Sequence, residues 1–164
     1  MHLMNLVQSI AQLLLAKNWK LALAESCTGG LVCAKLTELS GSSAWFERGY
    51  ITYSNEAKTE CLGVPAELIQ SHGAVSEPVA KAMAQGAQRM AGAHVGVSIT
   101  GIAGPTGGTP EKPVGTVCFG WSMYDQDGEN LIACQTKLFL GDRSAIREQA
   151  AEYALTELHR LLSA

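Results

Sequence analysis

The sequence predicts a single layered α/β domain in which helices flank a mostly mixed β-sheet. Three observations carry this expectation. Helix-like stretches stand at both ends of the chain, with buried-strand patterns between them. The turn Asp125-Gln126-Asp127-Gly128 joins two strand-like runs as a hairpin, so part of the sheet is antiparallel. The 164 residues suit one domain, and 47% hydrophobic against 16% charged residues suits a well-filled core rather than a disordered chain.

Each element has its own signal. Leu3, Leu6, Val7, Ile10, Leu13 and Leu14 recur at helical spacing, which predicts a first helix over Asn5 to Ala16. The apolar run at Lys20 to Ala24 predicts a short buried strand, and a helix is expected from Gly29 to Glu38. Ser40-Gly41-Ser42-Ser43 reads as a loop. Trp45 to Tyr53 is rich in aromatic and β-branched residues and reads as a strand. Asn55 to Cys61 suggests a short helix, broken at Gly63-Val64-Pro65, and Pro65 can open another through Ser71. Ser76-Glu77-Pro78 is a helix start that Val79 to Ala91 continues. His94 to Thr100 has a buried-strand pattern. A long glycine- and proline-rich loop follows from Gly101 to Pro110. Val114 to Tyr124 and Leu131 to Phe139 form the hairpin strands. Gly141-Asp142-Arg143-Ser144 leads into a last helix ending near Leu162.

Composition narrows the function classes. Net charge is -3, and Lys and Arg form no run, so no nucleic-acid surface is expected. A small anionic ligand needs only a few local donors and stays open. No secretory signal or bilayer-spanning run is visible. The five cysteines are odd in number and lack close pairs, which argues against a disulfide framework or a zinc site. A cytoplasmic protein with reduced thiols is expected. Asp125, Asp127 and Glu129 read as a hairpin turn before a calcium loop.

The most informative segment is Ala24-Glu25-Ser26-Cys27-Thr28-Gly29-Gly30. A strand runs into a tight turn and then a helix, so a hydroxyl stands at a strand end beside free helix N–H groups. Taken alone, the segment reads more readily as a helix cap by Ser26 or Thr28 than as a nucleophile. A nucleophilic serine needs a base. His2, His72, His94 and His159 each lack an evident carboxylate partner, which makes a Ser-His-Asp triad a poor fit. Tyr53-Ser54-Asn55-Glu56-Ala57-Lys58 offers a phenol, a carboxamide and an amine near one strand edge. To accept a proton at neutral pH, Lys58 must drop about three units from about 10.4, at a cost of about 4 kcal/mol. Without other information, a surface lysine explains the same residue. Cys27, near a helix start, is a rival nucleophile. The Gly101–Pro110 loop resembles a phosphate cradle but lacks the Gly-Lys-Ser/Thr ending of a P-loop. Its length favours function. Arg143 at a helix start is a candidate phosphate partner, and Arg147 one turn on can share that role.

Taken together, six ordered motifs resemble the CinA C-terminal domain family. They are residues 24–30, Tyr-Ser-Asn-Glu-Ala-Lys at 53–58, Gly-Ala-Val-Ser-Glu-Pro at 73–78, Gly-Ile-Ala-Gly-Pro at 101–105, Lys-Pro-Val-Gly-Thr-Val at 112–117 and Gly-Asp-Arg at 141–143. The match covers nearly the whole chain and is closest to the stand-alone members. The resemblance implies a Ser/Lys hydrolase that converts the carboxamide of nicotinamide mononucleotide to nicotinate mononucleotide and ammonia, in pyridine nucleotide recycling. It makes Ser26 the nucleophile and Lys58 the base, with Tyr53 assisting or relaying the proton. In the same reading, N–H groups near Thr28, Gly29 and Gly30 hold the oxyanion. Asn55, the loop residues Gly101, Gly104 and Thr106, and Arg143 hold the substrate. No cofactor or metal is expected, and a homodimer or other homo-oligomer is. Larger relatives carry a further N-terminal domain, whose pyrophosphatase activity is not carried over. Two rival readings remain: a non-catalytic nucleotide-binding domain, and a Ser/Lys amidase for another substrate.

Overall fold

The structure, a computed structural model, describes residues 2–164. In chain order the elements are α1 (Leu3–Lys17), β1 (Leu21–Glu25), α2 (Leu31–Thr37), β2 (Phe46–Ile51), α3 (Asn55–Leu62) and α4 (Ala66–His72). They continue with α5 (Glu77–Ala91), β3 (Val95–Gly101), β4 (Thr116–Tyr124), β5 (Asn130–Leu138) and α6 (Arg143–Ser163). One short 3-10 turn, Ser42–Ala44, precedes β2. The five strands form one sheet in the order β2-β1-β3-β4-β5. β1 runs parallel to both its neighbours, and β4 runs antiparallel to both β3 and β5. The mixed layered α/β fold predicted from the sequence is the one observed.

Strand alternation sorts the side chains to two faces. Leu21 and Leu23 of β1, with Val95, Val97, Ile99, Phe119 and Trp121, face a core shared with α1, α2 and α6. Ala22 and Ala24 face a second cluster with Leu62, Val79 and Met83. That second face is built of small residues because α5 lies almost on the backbone of the sheet. A Cβ at Gly96 would stand 2.2 Å from the Ala84 carbonyl oxygen, and one at Gly120 would stand 2.5 Å from that of Ala80. Ser98 uses the same closeness, donating its hydroxyl to Ala80 O. On the first face, Trp121 donates its indole N–H to Ala154 O at 3.1 Å, which fixes α6 against the sheet.

The topology creates a crevice. From β1 the chain passes to β2 on one side, whereas from β3 it passes to β4 on the other. β1 and β3 are adjacent and parallel, so their C-terminal ends form a topological switch point, where ligands bind in open α/β sheets. Ser26 leaves the end of β1 there, and Gly101 ends β3.

The differences from expectation are local. β2 stops at Ile51, which leaves Tyr53 beyond the strand instead of at its last residue. α2 begins at Leu31, because Gly29 and Gly30 take φ values of 58° and 106° that no helix start accommodates. Neither Ser26 nor Thr28 caps α2: Gly30 occupies the cap position without a side-chain bond.

Candidate active site

Ser26 is anchored by its own N–H, which donates to Ile99 O at 3.0 Å and extends the β1–β3 ladder by one residue. Lys58 comes from the first turn of α3. Ser54 caps that helix, accepting from Ala57 N–H at 3.0 Å, and so sets the angle at which α3 leaves the sheet. The lysine side chain turns inward and is 1% exposed. Its Nζ lies 3.1 Å from Ser26 Oγ, 2.9 Å from Thr52 O and 3.3 Å from Tyr53 O. The serine–lysine distance is within the reach needed for direct proton transfer.

Burial pushes the Lys58 amine below its ordinary range, while the nearby Cys27 and Glu56 act in the opposite direction. A neutral amine has two N–H donors and one lone pair. Three carbonyls stand near Nζ, with Ser54 O at 3.4 Å beside those of Thr52 and Tyr53, so the two donors of a neutral amine can be met there while its lone pair faces the Ser26 hydroxyl.

Around this pair is a pocket of about 180 Å³, whose walls include Ser26, Cys27, Tyr53, Asn55, Lys58, Thr100, Gly101 and Arg143. Volume alone does not single it out. A polar groove of about 600 Å³ around Gln88, His94 and Asn130 lies at the opposite end of β3, but it holds no nucleophile beside a base.

The predicted residues divide into three groups. Ser26, Lys58, Asn55, Gly101 and Arg143 meet at the pocket, as does Tyr53, whose phenol plays a different part from the one expected. The Tyr53 hydroxyl accepts from Arg143 Nη2 at 3.1 Å, and Arg143 Nη1 donates to Gly104 O at 2.7 Å. The phenol therefore does not bridge Ser26 and Lys58, and the direct transfer is the route this geometry offers. Gly104 contributes its carbonyl to holding Arg143 and is not itself a wall. Thr106 is exposed on the loop and is not a wall of this pocket.

The expected donors at Gly29 and Gly30 need correction. Gly29 N–H is spent on Ser26 O at 3.0 Å, and Gly30 N–H on Glu25 Oε1 at 3.1 Å. Thr28 is wholly buried, and its hydroxyl has no partner among the described residues. Cys27 also loses its standing as a nucleophile. Burial raises its thiol to about 12, so it stays protonated near neutrality.

One residue was missed. Glu25, at 0% exposure, accepts the N–H groups of Gly30, Val32 and Cys33 and so does the work of an N-cap from inside the strand. Its signal was present in the quoted motif, as a carboxylate just before a helix start. Arg147 donates to Cys27 O and Thr28 O rather than facing the pocket, so of the two arginines only Arg143 stands at the mouth. No group of three or more His, Cys, Asp or Glu side chains is placed to hold a metal ion among the described residues. Nor is any helix there long and apolar enough to cross a membrane.

A serine hydroxyl and a buried lysine amine meet at the switch point of a mixed sheet, which defines the class: an α/β domain with a serine–lysine pocket between two parallel strand ends. The chain belongs to the CinA C-terminal domain family, whose model matches residues 3–162. It is 51% identical over 157 residues to the nicotinamide-nucleotide amidohydrolase PncC of Escherichia coli K12, covering 96% of this chain and 93% of that one. A putative competence-damage inducible protein of Symbiobacterium thermophilum is 52% identical over 162 residues, but the match spans only 38% of that longer protein. Among solved structures, a CinA superfamily protein from Klebsiella pneumoniae superposes with a TM-score of 0.91 at 37% identity, over 99% of both chains. A competence/damage-inducible protein from Agrobacterium tumefaciens gives 0.89 at 38% identity, over 99% of this chain and 96% of that one.

Proposed function

We propose that this chain hydrolyses the carboxamide of nicotinamide mononucleotide to nicotinate mononucleotide and ammonia. The observation that carries the reading is the buried amine of Lys58, 3.1 Å from Ser26 Oγ, in a chain so similar to a named nicotinamide-nucleotide amidohydrolase. Neutral Lys58 takes the Ser26 proton as Oγ attacks the carboxamide carbon. The Lys58 ammonium then protonates the departing nitrogen, and ammonia leaves an acyl-serine. Water attacks the ester, gives its proton to Lys58, and Lys58 returns that proton to Ser26 Oγ. The pyridinium charge of the substrate favours the neutral amine, since like charges lower a lysine pKa.

The pocket, at about 180 Å³, is smaller than the roughly 300–1,000 Å³ typical for a drug-sized ligand. It suits the pyridine ring, with ribose and phosphate outside at the mouth near Arg143, the loop from Gly101 and the α6 N-terminus. The reaction would serve pyridine nucleotide recycling in the cytoplasm. A homo-oligomer is part of the same reading, supported by the exposed Leu138 at the end of the edge strand β5 and Leu140 just beyond it.

The test is ammonia release from nicotinamide mononucleotide by the purified protein with a chelator present, beside folded Ser26→Ala and Lys58→Ala variants. Turnover that collapses in both variants is expected. Binding of the nucleotide without turnover would favour the non-catalytic reading. Turnover of other amides alone would favour a different substrate.

A further inference from the structure

The connection from α4 to α5 is short, yet three successive carbonyls in it are each held by a side chain. Lys112 Nζ, from the loop after β3, donates to His72 O at 2.8 Å. Ser76 Oγ donates to Gly73 O at 2.8 Å. Thr100 Oγ1, near the end of β3, donates to Ala74 O at 2.9 Å. A surface connection ordinarily leaves such groups to water and stays mobile. This one is pinned from three directions.

What the bonds pin is part of the site. Ala74 and Val75 are half-buried and line the same pocket as Ser26 and Lys58. With Ala103 they give it hydrocarbon, while Asn55 and Arg143 add polar groups. A pocket of this size orients a flat ring by apolar walls and a few placed polar groups. Thr100 is the inner anchor, itself a pocket wall and 1% exposed. The register that pairs Glu25 with Ile99 continues by one bond, from Ser26 N–H to Ile99 O. Thr100 therefore stands across from the nucleophile on the neighbouring strand. Its hydroxyl bonds neither Ser26 nor Lys58, so its loss leaves that pair intact and frees Ala74 O. A carbonyl deprived of its donor in a half-buried place turns towards water and takes its peptide, shared with Val75, along with it.

We propose that Ala74 and Val75 form the wall on which the substrate's ring packs, and that Thr100 is the positioning residue that sets this wall. The proposal rests on the amidase reading above.

Three variants test it. Thr100→Val has nearly the same shape without the hydroxyl, Thr100→Ser keeps the hydroxyl, and Val75→Ala trims the wall directly. Each is assayed for Tm and for kcat and KM of ammonia release from nicotinamide mononucleotide. In parallel, a small fluorophosphonate labels Ser26, followed by intact mass, with 1-methylnicotinamide as a competitor that offers the ring alone. One apolar contact in a pocket is worth about tenfold or more, so KM should rise about tenfold in Thr100→Val and in Val75→Ala. In Thr100→Val, kcat should stay within about threefold, the mark of lost ground-state binding. Labelling without competitor should keep its wild-type rate, and protection by 1-methylnicotinamide should weaken as KM rises. Thr100→Ser should recover most of the KM. A KM within about threefold of wild type in folded Thr100→Val or Val75→Ala would overturn the proposal. So would a larger fall in kcat or slowed unprotected labelling in Thr100→Val, either of which moves the effect to Ser26. A KM raised equally in Thr100→Ser would also overturn it, by assigning the effect to more than the hydroxyl. Should Thr100→Val fail to fold, Thr100→Ala decides by the same readouts. If wild type spares the nucleotide but is protected by 1-methylnicotinamide, and Thr100→Val weakens that protection, the substrate assignment falls and the wall stands. If the ring does not protect wild type at any soluble concentration, the wall falls whatever the nucleotide does.

Discussion

Lys58 makes the clearest claim that a single residue can be held to. Its folded pKa is lowered by burial, so the unfolded chain binds the extra proton between the folded value and about 10.4. Stability therefore rises with pH across that window, and below it the full cost of the buried charge is present. Urea titrations from neutral pH upward should show this slope in wild type and a flatter profile in Lys58→Met. On the proposed mechanism, activity should rise as pH passes through the lowered Lys58 value and level off above it, because only the neutral amine can accept the serine proton. Lys58→Arg, always charged, should lose at least about 100-fold in kcat at every pH. At the mouth, Arg143→Ala should raise KM for nicotinamide mononucleotide about tenfold or more, with a much smaller effect on the phosphate-free riboside. Cys27 offers a negative control for the nucleophile. With its thiol at about 12, iodoacetamide at pH 8 should label the exposed Cys61 and leave Cys27 untouched, as read by peptide mass.

Among the elements, α5 and the β1–α2 turn are the most tightly specified. α5 sits where Gly96 and Gly120 have no side chain, so Gly96→Ala must push a helix carbonyl off the sheet. We expect a loss of about 3 kcal/mol or more in denaturant unfolding, at the upper end for overpacking. Glu25→Gln keeps the shape but removes the charge that three N–H groups address. It should cost about 1–3 kcal/mol, with the far-UV spectrum preserved. Elements of this kind were legible in the sequence because their signals are local. Apolar spacing located α1, Gly141 to Ser144 opened α6, Ser76-Glu77-Pro78 opened α5, and Asp125 to Gly128 turned the hairpin. The end of β2 was not legible, since aromatic and β-branched residues continue past the last ladder bond. The role of Glu25 stayed hidden because it follows an unbroken apolar run and its partners are backbone groups.

At the scale of the molecule, what the sequence withheld is what tertiary structure supplies. Ser26 and Lys58 were each readable as candidates, but their meeting depends on how α3 leaves β2. The Arg147 contacts join residues 120 and 119 positions apart, and no spacing rule reports the rotation of α6 against a distant turn. The same limit applies to assembly. The exposed leucines of the β5 edge are visible as residues, while the shape they make is not. We expect light scattering to give a mass of two or more chains, and Leu138→Lys combined with Leu140→Lys to return the mass of one.

The site is collected from nearly the full length of the chain: the end of β1, the start of α3, the loop after β3, and α6, which both covers the mouth and grips the nucleophile turn. During synthesis these parts emerge in that order, and α6 comes last. A chain still on the ribosome has made Ser26 and Lys58 before it has Arg143 or Arg147. On the proposed mechanism it then lacks its phosphate anchor. Newly made protein should therefore stay hydrolytically silent until its last helix docks, and the onset of activity would mark the completion of the fold.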